Sequence, residues 1–231
     1  MMVDPALLLI HGTADSTANW ARWQRWLSGR GWRVIAVDLP GHGTDPLDCA
    51  CSVASCANHL EAIVRAERPT VLLGHSLGGT VAIELAQRDL APLARLLLVA
   101  PAVAIPEPTR WFYDWFCGDP LALLYAQREW LAPLLAPLPR LATANRTAPE
   151  AIRGAWNSLR DWQPPDWSKL ATPTAVITGQ WDHIAPPHML SPIVREMPDA
   201  TLEVAPCRHL PMDSTPEQFE RWLIRHLPPV D

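Results

Sequence analysis

Short runs of Leu, Val and Ile, each followed by a longer amphipathic stretch, recur along the chain. ALLLIHG (residues 6–12) is apolar without alternation, which predicts a strand buried on both faces. In NWARWQRWLSGRG, Trp20, Trp23 and Leu27 stand at i, i+3 and i+7, the spacing of one helix face, with Gly29 or Gly31 as the stop. WRVIAVDLPGHG (32–43) then reads as strand and turn, and residues 52–66 as a helix. TVLLGHS gives a strand, LGGTVAIELAQRDL a helix and ARLLLVAPA a further strand. Near the C-terminus come TAVITGQWD, a helix over 189–196, ATLEVAP, and a closing helix over 216–226. Strands alternating with helices predict an α/β fold: a mostly parallel sheet of about six strands flanked by helices.

One segment breaks the rhythm. Residues 102–172 hold no strand-like run, yet carry six of the twelve tryptophans (Trp111, Trp115, Trp130, Trp156, Trp162 and Trp167) and nine prolines. A loop of that length without structure of its own is improbable, so a helical cap inserted into a core of 1–101 and 173–231 is expected.

The chemistry centres on Gly74-His75-Ser76-Leu77-Gly78, a G-x-S-x-G pattern with a strand before it and a helix after. A turn that sharp leaves no room for side chains two residues to either side, and it lifts one hydroxyl to the N-terminus of a helix, where developing negative charge is favoured. A serine hydroxyl needs a base, and the base needs an orienting acid. Asp182 follows the strand TAVITG and His209 follows the last strand, in the chain order Ser, Asp, His. His188 competes with His209 for the role of base; Asp213 follows His209 too closely to face it as the acid. The N–H groups of Leu77 and Thr13 are the candidate oxyanion donors, with Gly12 allowing close approach. His11 could line the site, or equally bridge loops.

Taken together, His11-Gly12, DLPGHG (38–43), GHSLGG (74–79), GQWDHIAP (179–186), and His209 with Pro216 and Phe219 resemble the α/β-hydrolase superfamily over essentially the whole chain. Within it they resemble the serine-nucleophile branch and its small carboxylesterases, including the acyl-carrier methyl ester type. Arg208 stands where the family often has Gly, and Asp213 is displaced from the position of a common carboxylate. The two leading antiparallel strands of larger relatives are expected to be missing. The resemblance implies hydrolysis of esters with small to medium apolar acyl groups through Ser76, His209 and Asp182, with no metal or organic cofactor. It also implies a cap closing over the serine, in which Trp111, Phe112, Trp115 and Phe116 form either an apolar face toward substrate or the cap's own core, with Trp181 beside the acid as a further contact. A thioesterase or a triad-dependent lyase of the hydroxynitrile-lyase kind is the alternative, and a non-catalytic ligand-binding relative the outside one. Aspartate at position 76 would have pointed to haloalkane dehalogenases or epoxide hydrolases.

Composition narrows the partners. Hydrophobic residues make up 48% and charged ones 19%, and the net charge is -5 with no basic run, which argues against nucleic acid. The partner expected is a small-molecule ester or thioester, with an acyl-carrier protein possible. No run is long enough to span a bilayer, and MMVDPALLLIHG lacks a basic leader, so a cytoplasmic protein without stable membrane insertion is expected. Of five cysteines, Cys49, Cys51 and Cys56 cluster without paired CxxC spacing, as small helix-packing residues.

Overall fold

A computed structural model describes residues 5–45, 51–88 and 90–230 of the chain. The first apolar run forms β1 (Ala6–Ile10), followed by a 3-10 turn at Thr17–Trp20 and α1 (Ala21–Ser28). Then come β2 (Arg33–Val37), α2 (Val53–Glu67), β3 (Val71–His75), α3 (Leu77–Ala86) and β4 (Arg95–Val99). All six strands are parallel and the sheet order is β2-β1-β3-β4, continued by β5 (Thr174–Gly179) and β6 (Ala200–Ala205). Between β5 and β6 lies α9 (Pro187–Glu196), and after β6 the short α10 (Pro211–Ser214) and the closing α11 (Pro216–His226).

The period-2 pleat divides each apolar strand between two cores. Leu8, Ile10, Leu72, Leu96, Leu98 and Val176 face α2, α3 and α9. Leu7, Leu9, Leu73, Leu97, Val99 and Ile177 face the aromatic wall of α1 and α11. In that wall Trp23 meets Phe219 edge-on at 4.6 Å, and Phe219 stacks on Trp222 at 5.5 Å. The helix predicted after β1 is thus shorter than its pattern suggested: Trp20 closes the 3-10 turn, and Trp23 and Leu27 carry the buried face of α1.

Residues 102–172 contain α4 (Glu107–Phe116), α5 (Asp119–Ala126), α6 (Arg128–Leu135), α7 (Pro139–Arg146) and α8 (Pro149–Asp161), and no strand. Prolines within the first turns of α4, α5, α7 and α8 explain how so proline-rich a segment is helical, since the missing N–H is one that a first turn leaves unpaired anyway. Helix α8 serves two neighbourhoods. Its Ala151, Ala155 and Leu159 join the core of α2 and α3, whereas Ile152 and Trp156 pack with Cys117 and Leu121 of the other inserted helices.

From β1 the chain runs outward to β2 and then back past β1 to β3, so a crevice opens at the carboxyl ends of β1 and β3. Phe219, fully buried between Trp23 and Trp222, supports the layer beneath that crevice. Phe219→Ala is expected to cost about 3–5 kcal/mol in urea denaturation, against a change within about 0.5 kcal/mol for Arg221→Ala at an exposed position of the same helix.

Candidate active site

Ser76 is the single residue between the end of β3 and the start of α3, with φ 52° and ψ −117°. That left-handed φ is strained for any residue with a side chain. It is held because the backbones around it are close-packed: a Cβ at Gly74 would overlap the Gly78 carbonyl, and one at Gly78 would overlap the Ile10 and His11 carbonyls of β1 and its loop. The Ser76 N–H donates to the Val99 carbonyl at 3.0 Å, tying the turn to β4.

Two further loops deliver their side chains to Ser76. Past the end of β5, Asp182 is 3% exposed. One of its carboxylate oxygens accepts the N–H groups of Ile184 (2.8 Å) and Ala185 (2.9 Å); the other lies 2.8 Å from His209 Nδ1. His209 Nε2 is 2.9 Å from Ser76 Oγ. With Nδ1–H donating to Asp182, Nε2 is left to accept the serine proton. Burial alone would raise the Asp182 carboxyl, but His209 and the two amides outweigh it and hold it below the usual carboxylate range. The structure thus brings Ser76, His209 and Asp182 into one hydrogen-bonded line. His188 lies on α9 and Asp213 on α10, both outside it.

The acid and histidine loops touch through backbone. Trp181 N–H donates to the Cys207 carbonyl at 3.0 Å, and a Cβ at Gly179 would overlap the Arg208 carbonyl. His75 lies under the same loop, with Nε2 3.2 Å from the His209 carbonyl and its ring 5.1 Å from the His209 ring. Burial, followed by the charges of His209 and Arg140, pushes His75 down to about 3, so it stays neutral. Nothing in the sequence beyond adjacency to Ser76 signals that role.

Leu77 is the first residue of α3, so its N–H has no partner within the helix, and Thr13 lines the cavity at the serine. That cavity holds about 700 Å³ and is almost wholly apolar, with Tyr113, Phe116, Leu121, Leu131, Ile152 and Trp156 over Ser76. The aromatic contacts expected from the sequence are placed differently. Trp111 and Trp115 are 74% and 58% exposed and lie outside the lining, as does Trp181 at 60%. On α4 the inward positions belong to Phe116, one of the four rings expected there, and to Tyr113, which the sequence pattern did not single out. His11 is fully buried behind the Thr13 loop, accepting the Leu39 N–H at 3.0 Å on Nε2 and facing the Gly12 carbonyl at 2.8 Å through Nδ1. It bridges the loops after β1 and β2 and does not line the cavity. Burial and His42 push it down to about 4.

Among the described residues no three His, Cys, Asp or Glu side chains converge as a metal site. Cys51 and Cys56 are buried with their sulfurs 3.4 Å apart; Cys49 lies outside the described residues. No helix among the described residues is long and apolar enough to cross a membrane.

Known proteins give this geometry a setting. The model of the alpha/beta hydrolase family matches residues 7–222. The chain is 26% identical to a pimeloyl-[acyl-carrier protein] methyl ester esterase of Nitrosospira multiformis, over 96% of this chain and 94% of that one. It is 28% identical to the magnesium-chelatase 30 kDa subunit of Rhodobacter capsulatus, over 89% and 81%. Among solved structures, an esterase from Exiguobacterium antarcticum superposes with a TM-score of 0.82 at 18% identity, over 97% of this chain and 92% of that one.

The two buried neutral histidines set a pH dependence. Unfolded, His11 and His75 bind protons near their ordinary pKa of 6.5; folded, they do so only near 4 and 3. Between those limits the unfolded chain holds more protons, so stability falls as pH drops below 6.5. The urea midpoint is expected to be lower at pH 5 than at pH 7.5, and His11→Gln to shrink the difference. An equal drop in the variant would assign the effect to other groups.

Proposed function

The chain belongs to the alpha/beta hydrolase family, and from that premise we propose that it is a serine esterase cleaving carboxylic esters of apolar acyl groups. The observation that carries this reading is the hydrogen-bonded line from Asp182 through His209 to Ser76, ending at the floor of an apolar cavity. His209 Nε2 takes the Ser76 proton as Oγ attacks the ester carbonyl, and Asp182 stabilises the imidazolium that forms. The carbonyl oxygen, now an anion, is received by the N–H groups of Leu77 and Thr13 at the positive end of α3. His209 then gives its proton to the departing alcohol, which leaves an acyl group on Ser76. A water molecule, deprotonated by the same Nε2, attacks the acyl carbon and releases the acid and the free serine.

The inserted helices act in this reading as a cap, supplying the walls for the acyl chain through Tyr113, Phe116 and Trp156. A related reading is favoured by the name of one relative, the pimeloyl-[acyl-carrier protein] methyl ester esterase: the acyl chain arrives on an acyl-carrier protein, and the same serine cleaves its ester or thioester.

Wild-type protein is expected to be labelled by a fluorophosphonate probe and to turn over p-nitrophenyl esters of medium chain length. Ser76→Ala and His209→Ala should lose labelling and lower kcat about 10⁴-fold or more, and Asp182→Asn about 10⁴-fold. Labelling of Ser76→Ala at the wild-type rate would refute the assignment of the nucleophile.

A further inference from the structure

One cation reaches the cavity. Arg140 on α7 lines it, and no lysine or other arginine does so among the described residues. A guanidinium in an apolar pocket is ordinarily an anchor for an anionic ligand. Here three of its five N–H donors already face two carboxylates. Nη1 donates to Asp15, two residues beyond Thr13; Nε donates to Asp213, four residues beyond His209, and Nη2 lies 3.3 Å from the second oxygen of that carboxylate. The Arg140 side chain is 17% exposed and that of Asp15 7%. Asp15 is held in turn by Asn19 Nδ2 (2.7 Å) and Trp20 Nε1 (3.2 Å), and Asn19 also donates to Thr143 of α7 at 3.1 Å.

We propose that the Asp15–Arg140–Asp213 bracket is a specificity-determining charge filter, which restricts the cavity to esters whose acyl chain carries no charge. This rests on the esterase reading and narrows its substrate class. Two carboxylates share one guanidinium, so the bracket carries a net negative charge, and Asp182 adds another behind His209. Apart from His209, which Asp182 already faces, the lining offers no compensating cation. His75 is held neutral, burial lowers His183, and burial raises Tyr113 and also Cys117, the latter to about 11. A carboxylate at the end of an acyl chain would therefore shed its water to meet a guanidinium whose charge Asp15 and Asp213 already offset, or would have to draw Arg140 away and leave Asp15 buried without its cation. A hydrocarbon chain faces neither cost, because most of the rest of the wall is Leu, Ile, Ala and aromatic side chains.

The test measures binding on Ser76→Ala protein, so it needs no turnover. Two matched pairs serve as probes: methyl butyrate with monomethyl succinate, and methyl octanoate with monomethyl suberate. In each pair the neutral ester is expected to bind at least about 30-fold more tightly at pH 7.5. Asp213→Asn, at a side chain 42% exposed, frees one face of Arg140 and is expected to narrow the gap about fivefold or more in at least one pair, with the thermal midpoint showing that the variant is folded. Binding of neutral and anionic members within threefold of each other would overturn the filter, and so would a gap untouched by Asp213→Asn in folded protein. Failure of the wild type to hydrolyse any ester would strike the esterase reading and leave the binding result to stand on its own.

Discussion

Three stretches of backbone meet at this site with no side chain between them. The start of α3 rests on the carbonyls of Ile10 and His11, and the end of β3 rests on α3, so that Gly74 and Gly78 mark contacts where a methyl group has no room. Strand β1, helix α3 and the serine turn are therefore one rigid body. A backbone held at φ 52° stores about 1–3 kcal/mol of strain, and only a frame buried on both faces can hold it. The position of the Ser76 hydroxyl, the direction of the first α3 amides and the place of Thr13 all follow from that contact. The second such contact, Gly179 against the carbonyls of Cys207 and Arg208, locks the Asp182 loop to the His209 loop. Two backbone crossings thus set the spacing of three side chains drawn from distant parts of the sequence.

Charge is organised around the same crevice. Asp38, in the loop after β2, accepts the N–H groups of Thr17 (2.7 Å) and Thr44 (2.8 Å), and so stitches the loop after β1 to its own. Asp15 and Asp182 are likewise fully engaged, while His11 and His75 remain neutral and act through lone pairs and N–H groups. Only His209 both touches the Ser76 hydroxyl and has a carboxylate behind it to receive a positive charge. This serine–histidine–carboxylate line is local, and the surrounding polar groups keep the loops in register.

The sheet was legible because its four central strands, buried on both faces, leave nearly uninterrupted apolar runs, and the half-exposed edge segments RVIAV and ATLEVA still carry β-branched residues between turns; all six became strands. The placement of Ser76, Asp182 and His209 was legible for a related reason: in this topology each candidate follows the carboxyl end of a strand, so chain order alone assigns it to one rim. The inserted helices were legible only as helices. Trp111 and Trp115 differ from Tyr113 and Phe116 by a rotation about α4, and that rotation is decided by contact with Trp156 and Cys117, far along the chain or on the next turn. The bracket around Arg140 joins residues 15, 140 and 213, and no local pattern links such separations.

The distribution of indole rings has an optical consequence. Trp20, Trp23 and Trp222 are sealed in the aromatic wall beneath the sheet, whereas Trp111, Trp115 and Trp130 stand in solvent on the inserted helices. Emission from the first group should be blue-shifted and shielded from iodide, and emission from the second red-shifted and readily quenched. The molecule therefore carries both shielded and solvent-exposed indoles, three of the exposed ones on the inserted helices, and displacement of those helices can be followed by light without attaching any dye.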